Sequence, residues 1–183
     1  MSVLICPGIH PPEFTQSFLY SLQPPGNPTY CSNWLVFPTQ DYPAYSAIDI
    51  LRFLKKNIGN PAQASPVLFI SFSAGVVGAM GAAIAWQVQS GRVRGSIALD
   101  GWGVPLWGNF PIHRLSHDSF THWSSAILGA GADSFYADPR VEHLDLWRSP
   151  DKAPGWWVKV PGCRVRCTAK EFLTVLLQRY QEI

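Results

Sequence analysis

Val67-Leu68-Phe69-Ile70-Ser71-Phe72-Ser73-Ala74-Gly75-Val76-Val77-Gly78 is the stretch on which the fold turns. Its first four residues form a continuous apolar run of strand length, as expected of a strand buried on both faces of a sheet. From Ala74 the composition changes to Ala, Gly and Val, a helical pattern that runs to Gln89 and stops at Ser90-Gly91. Ser73 therefore stands on a sharp turn between strand and helix. A serine there presents its Oγ at the carboxyl edge of the sheet, and the N–H of the next residue, Ala74, is placed to stabilise a developing oxyanion. Strand and helix pass close together at such a turn, so small residues are needed two before and two after it, and Ser71 and Gly75 supply them. Gly75, Gly78 and Gly81 recur every third residue, which predicts a helix lying tightly on the sheet.

No charge occurs between Lys56 and Arg92, and residues 67–88 are mostly apolar. About 20 such residues are enough to span a bilayer. Ser71, Ser73 and Gly75 interrupt this run, and its halves differ in chemistry, so the reading is strand plus helix. A single-span membrane protein is the minor alternative.

Working outward, short apolar runs alternate with helical patterns, the signature of a mainly parallel sheet with crossover helices. Strands are expected at 3–6, 34–37, 67–70, 96–99 and 134–137. Helices are expected at 13–22, 44–56, 74–89 and 168–180, the last with Thr168 as N-cap and Glu171 three residues on. Residues 24–28 read as a turn and 57–66 as a loop. Residues 101–132 read as a long Trp-, Pro- and His-rich connection with a weak helical pattern near 119–128. The expected fold class is α/β, a three-layer sandwich around about five strands, in one domain spanning 1–183.

The 183 residues carry 14% charged side chains, a formal net charge of +2 and no basic run longer than Lys55-Lys56. That pattern excludes a nucleic-acid footprint. Cys6, Cys31, Cys163 and Cys167 are too few and scattered for a disulfide framework and lack the partners of a zinc site, so reduced thiols are expected. No basic residue precedes the apolar stretch that ends at Pro7-Gly8, so no secretory signal is read and a cytoplasmic location is the default.

The strand–turn–helix around Ser71-Phe72-Ser73-Ala74-Gly75 resembles the nucleophile elbow of the α/β-hydrolase superfamily, usually Gly-x-Ser-x-Gly, with Ser71 in place of the first glycine. The resemblance implies a minimal five-stranded core and a serine hydrolase needing no cofactor and no metal. It implies a second oxyanion donor, the N–H of Ile9, in the loop Pro7-Gly8-Ile9-His10-Pro11-Pro12 after the first strand. The family order is serine, acid, histidine, with the histidine after the last strand. His143 is the one histidine beyond residues 134–137, which makes it the expected base; otherwise it is an exposed helix residue. Asp100, ending the strand after the nucleophile's helix, resembles the acid of the pancreatic-type lipases and is preferred, with Asp138 as its rival. His113, His117 and His122 lie near Asp118, but their spacing does not put all three on one helical face, so they read as pocket or surface residues. In this superfamily the segment after the acid overhangs the nucleophile. Residues 101–132 are thus an expected lid or pocket-covering insertion, with Trp102, Leu106, Trp107 and Phe110 lining an apolar slot or else plugging the sheet as core. The expected substrate is a small apolar ester or thioester. A hydrolase-fold binding protein without catalysis is the alternative.

Overall fold

A computed structural model describes residues 2–24, 34–160 and 162–180. All its strands belong to one eight-stranded sheet. The strands are β1 (Ser2–Cys6), β2 (Leu35–Val36), β3 (Val67–Phe72), β4 (Val93–Leu99), β5 (Ile112–Ser116), β6 (Ser134–Ala137), β7 (Pro154–Val160) and β8 (Cys163–Thr168). They are ordered β2-β1-β3-β4-β5-β6-β7-β8. Pairing is parallel from β2 to β6 and antiparallel at β6–β7 and β7–β8. The fold class is α/β, but the sheet is larger than five strands and mixed.

The expected helices form with shifts of a few residues: α1 (Pro12–Leu22), α2 (Ala47–Ile58), α3 (Ala74–Val88) and α6 (Ala169–Arg179), joined by short α4 (Ser119–Ser125) and α5 (His143–Arg148). Local chemistry sets their ends. Ser46 Oγ accepts from the Asp49 N–H to start α2, and Thr168 and Glu171 close a capping box at α6. Alternation along the strands divides the core. Val3, Ile5, Leu68, Ile70, Phe72, Ile97 and Leu99 face a layer containing Phe18, Trp147, Phe172 and Leu176 of α1, α5 and α6. Leu4, Cys6, Val67, Phe69 and Ala98 face the layer of α2 and α3.

Chain order reverses between β1 and β3, since β1 is followed by β2 on one side and by β3 on the other. Such a reversal opens a crevice at the carboxyl ends of the strands. Gly75 makes the approach there possible: a Cβ on it would collide with the main-chain carbonyls of Cys6 and Pro7. Gly78 differs from expectation. It meets Ala44 and Ile50, so it seats α2 rather than the sheet.

The connection 101–132 also departs from expectation, because it supplies β5, a fully buried strand between the parallel strands β4 and β6. The segment is therefore part of the sheet as well as a cover. No helix among the described residues is long and apolar enough to cross a membrane. With 15 residues, α3 reaches only about 22 Å against about 30 Å of hydrocarbon. Cys6, Cys163 and Cys167 are free thiols, whereas Cys31 and most of the expected turn at 24–28 lie outside the described residues.

Candidate functional site

Ser73 follows β3 directly and precedes α3, with φ 53° and ψ −124°. A left-handed φ is costly for a residue with a Cβ. The surrounding bonds hold it: the Ser73 N–H donates to Leu99 O at 2.9 Å, and its carbonyl accepts from Val76 N at 3.0 Å. As the first residue of α3, Ala74 has an N–H without an intrahelical acceptor. Gly8, from the loop after β1, packs so closely that a Cβ on it would lie 3.0 Å from the Ser73 Cβ. Ile9 beside it is 75% exposed.

His143 opens α5 and brings Nε2 to 3.1 Å from Ser73 Oγ. Its ring is fixed by stacking. The centroid lies 4.7 Å from that of Phe72, which stacks on Trp147, which stacks in turn on Phe18. His143 Nδ1 lies 2.8 Å from Asp100 Oδ2. Asp100 comes immediately after β4, has φ 51° and is anchored by its own N–H to Leu115 O at 2.8 Å. Its side chain is 1% exposed. A carboxylate so removed from water needs donors, and it has three: His143 Nδ1, His117 Nδ1 at 2.9 Å, and the His117 main-chain N–H, which reaches Oδ1 at 2.8 Å.

Because an ionised carboxylate only accepts, both Nδ1 atoms carry hydrogen. Neutral His143 then turns the lone pair of Nε2 toward Ser73, the tautomer in which an imidazole takes a proton from a hydroxyl. Asp138, the rival acid, faces away. It accepts from Trp156 Nε1 at 2.8 Å and lies 3.6 Å from Arg166.

His117 is the residue of this cluster that sequence reasoning left unassigned. Its neighbours in the sequence give no signal, because it reaches Asp100 only through the pairing of β5 with β4. The hydrogen bond to Asp100 raises its pKa, the charges of Asp100 and Asp118 add to this, and burial and Arg140 oppose it. His113 and His122 go elsewhere. His113 Nε2 is 2.8 Å from Tyr180 Oη, and His122 is buried beside Tyr136 and Trp123. His10 packs against Phe72 and Phe14, and burial lowers its pKa. The ligating atoms of Asp100, His117 and His143 fall within 4.8 Å of one another. The hydrogen bonds they already share account for that spacing.

A cleft of about 590 Å³ opens over these residues, walled by Val77, Trp102, Val104, Phe120 and Thr121. Of the four expected slot residues only Trp102 lines it. Leu106 and Phe110 are each 8% exposed and belong to the core over α2 and α3, while Trp107 is 64% exposed. A larger concavity of about 800 Å³, lined by Glu13, Tyr20, Arg148 and Lys170 among others, contains no histidine or cysteine.

No protein-family model matches the chain, and a search of curated proteins finds no match.

Proposed function

We propose that the protein is a serine hydrolase that cleaves carboxylic esters or thioesters bearing an apolar group, working in the reducing cytoplasm. The observation that carries this reading is the unbroken chain from Ser73 Oγ through His143 to buried Asp100, at the strained turn before α3. Ser73 Oγ attacks the acyl carbon as its proton passes to His143 Nε2. Asp100 stabilises the resulting imidazolium. The Ala74 N–H, with the Ile9 N–H across the turn, faces the oxyanion. Collapse expels the alkoxide or thiolate, which takes the proton from His143, and leaves an acyl ester on Ser73. Water, deprotonated by the same imidazole, then releases the acid and restores the serine. Val77, Trp102, Val104 and Phe120 supply the apolar wall for the substrate.

A fluorophosphonate probe should label the protein once, at Ser73. Ser73→Ala should abolish labelling and lower nitrophenyl butyrate hydrolysis by several orders of magnitude. Labelling at another residue, or full hydrolysis by the Ala variant, would overturn the reading.

A further inference from the structure

Asp100 receives two imidazoles where a serine–histidine–acid set needs one. His117 and His143 both address Oδ2 through Nδ1, at 2.9 and 2.8 Å, and their rings stand edge to face with centroids 5.8 Å apart. His117 alone also reaches Oδ1, through its main-chain N–H. Its other ring nitrogen lies beside a second carboxylate, with Nε2 3.4 Å from Asp118 Oδ2. Asp118 is itself held in place, accepting from the Thr121 N–H at 2.6 Å as the N-cap of α4. The chain of partners therefore runs Ser73, His143, Asp100, His117, Asp118, alternating proton donor and carboxylate beyond the serine.

We propose that His117 is a positioning residue that fixes both oxygens of Asp100 and, by holding or releasing a proton toward Asp118, sets how much negative charge Asp100 offers to His143. This rests on the serine hydrolase reading above. When His117 is an imidazolium, Asp100 is shared between two cations during proton transfer from Ser73, and the transition state gains less from it. When His117 is neutral, Nδ1 still donates to Asp100, the geometry is unchanged, and the full carboxylate charge serves His143. Every charged or titratable group facing His117 enters this balance. Asp100 after β4 and Asp118 before α4 favour the imidazolium, and Arg140 before α5 disfavours it. His143 on α5 is the group being tuned. Since the two carboxylates prevail, His117 holds its proton to higher pH than an ordinary histidine.

The test is the pH dependence of kcat and KM for nitrophenyl butyrate in the full-length protein, with histidine ring NMR titration alongside. The wild type should lose activity in two steps as pH falls. The upper step is a several-fold drop in kcat with KM unchanged, and it should coincide with the titration of His117. His117→Asn keeps an N–H donor near the position of Nδ1 and has no titration, so it should show the lower step alone and remain active. Asp118→Asn is still a good N-cap and should move the upper step and the His117 titration to lower pH together. His117→Phe removes the donor and should lower kcat at every pH. A single-step profile shared by wild type and His117→Asn overturns the role of His117 while leaving the hydrolase reading intact. A wild type that neither hydrolyses esters nor reacts with the fluorophosphonate overturns both.

Discussion

In the proposed mechanism, Asp100 is the residue whose placement decides the chemistry. Its left-handed φ turns the side chain back over the sheet edge, where three N–H groups converge on it. Asp138 also ends a parallel strand, yet its carboxylate is spent on Trp156 and Arg166 of the antiparallel pair β7–β8. The two variants should therefore separate cleanly. Asp100→Asn puts an amide where two imidazole N–H groups need an acceptor and unsettles the tautomer of His143. A loss of about 10⁴-fold in kcat is expected, as for the equivalent change in the serine proteases. Asp138→Asn keeps an acceptor for Trp156 and should stay within a few-fold of wild type. Steady-state hydrolysis of nitrophenyl butyrate by the two purified variants, with circular dichroism to confirm folding, checks the ranking.

At the scale of elements, the cleft is built from pieces that differ in how firmly they are held. Its floor is the half-buried turn between the buried strand β3 and α3. Its wall is α4 with the loop before β5, joined where Trp102 Nε1 donates to Ser124 Oγ at 3.1 Å. That wall is tied down from beneath by Arg114 of β5, a residue only 4% exposed, whose guanidinium donates to the carbonyls of Ala130 and His122 and to Ser125 Oγ. Phe120 is 73% exposed on the rim, so an acyl chain lying against it and Val77 removes apolar surface from water. Each methylene buried there contributes about 0.8 kcal/mol, or about fourfold in kcat/KM. Activity should thus climb from nitrophenyl acetate to butyrate to octanoate, and Phe120→Ala should flatten the climb. A flat or falling series in the wild type would show that the wall does not hold the acyl group.

Across the whole molecule, two buried histidines outside the Ser73–His143–Asp100 chain govern stability toward acid. Burial lowers His113 to about 4, helped by Arg179 and opposed by Asp133. Burial likewise lowers His122 to about 4, helped by the Arg114 charge. In the unfolded chain both take up protons near 6.5. As pH falls the unfolded state therefore binds protons first, and stability that is fully present above 6.5 is lost until the folded values near 4 are reached. Each group contributes about 1.4 kcal/mol per pH unit within that window. His117, whose folded value is raised, contributes in the opposite sense, its share being lost as pH rises through that value. Urea unfolding between pH 7.5 and 4.5 should show a steep loss, and His122→Phe should remove about half the slope from this pair. An unchanged slope in that variant would mean that His122 is charged in the folded protein.

Local sequence determined what depends on neighbours in the chain. The strand into Ser73, the small-residue helix after it and the capping box at Thr168 were readable because apolar run, turn and cap are encoded within a few residues. Asp100 and His143 were readable as strand-end and post-strand positions on the strength of a family resemblance. Three features were not readable. Ile112-His113-Arg114-Leu115-Ser116 does not look like a buried strand, because its polar side chains are compensated by partners far along the chain, Tyr180, Ala130 and Ser125. Cys163 to Arg166 of β8 are exposed, so that edge strand has no burial pattern to reveal it. His117 joins Asp100 across 17 residues only because β5 pairs beside β4. Burial of a charge and sharing of a carboxylate are decided by which elements meet. The tertiary structure therefore supplied the second histidine, the true cleft wall and the eight-stranded sheet that brings them together.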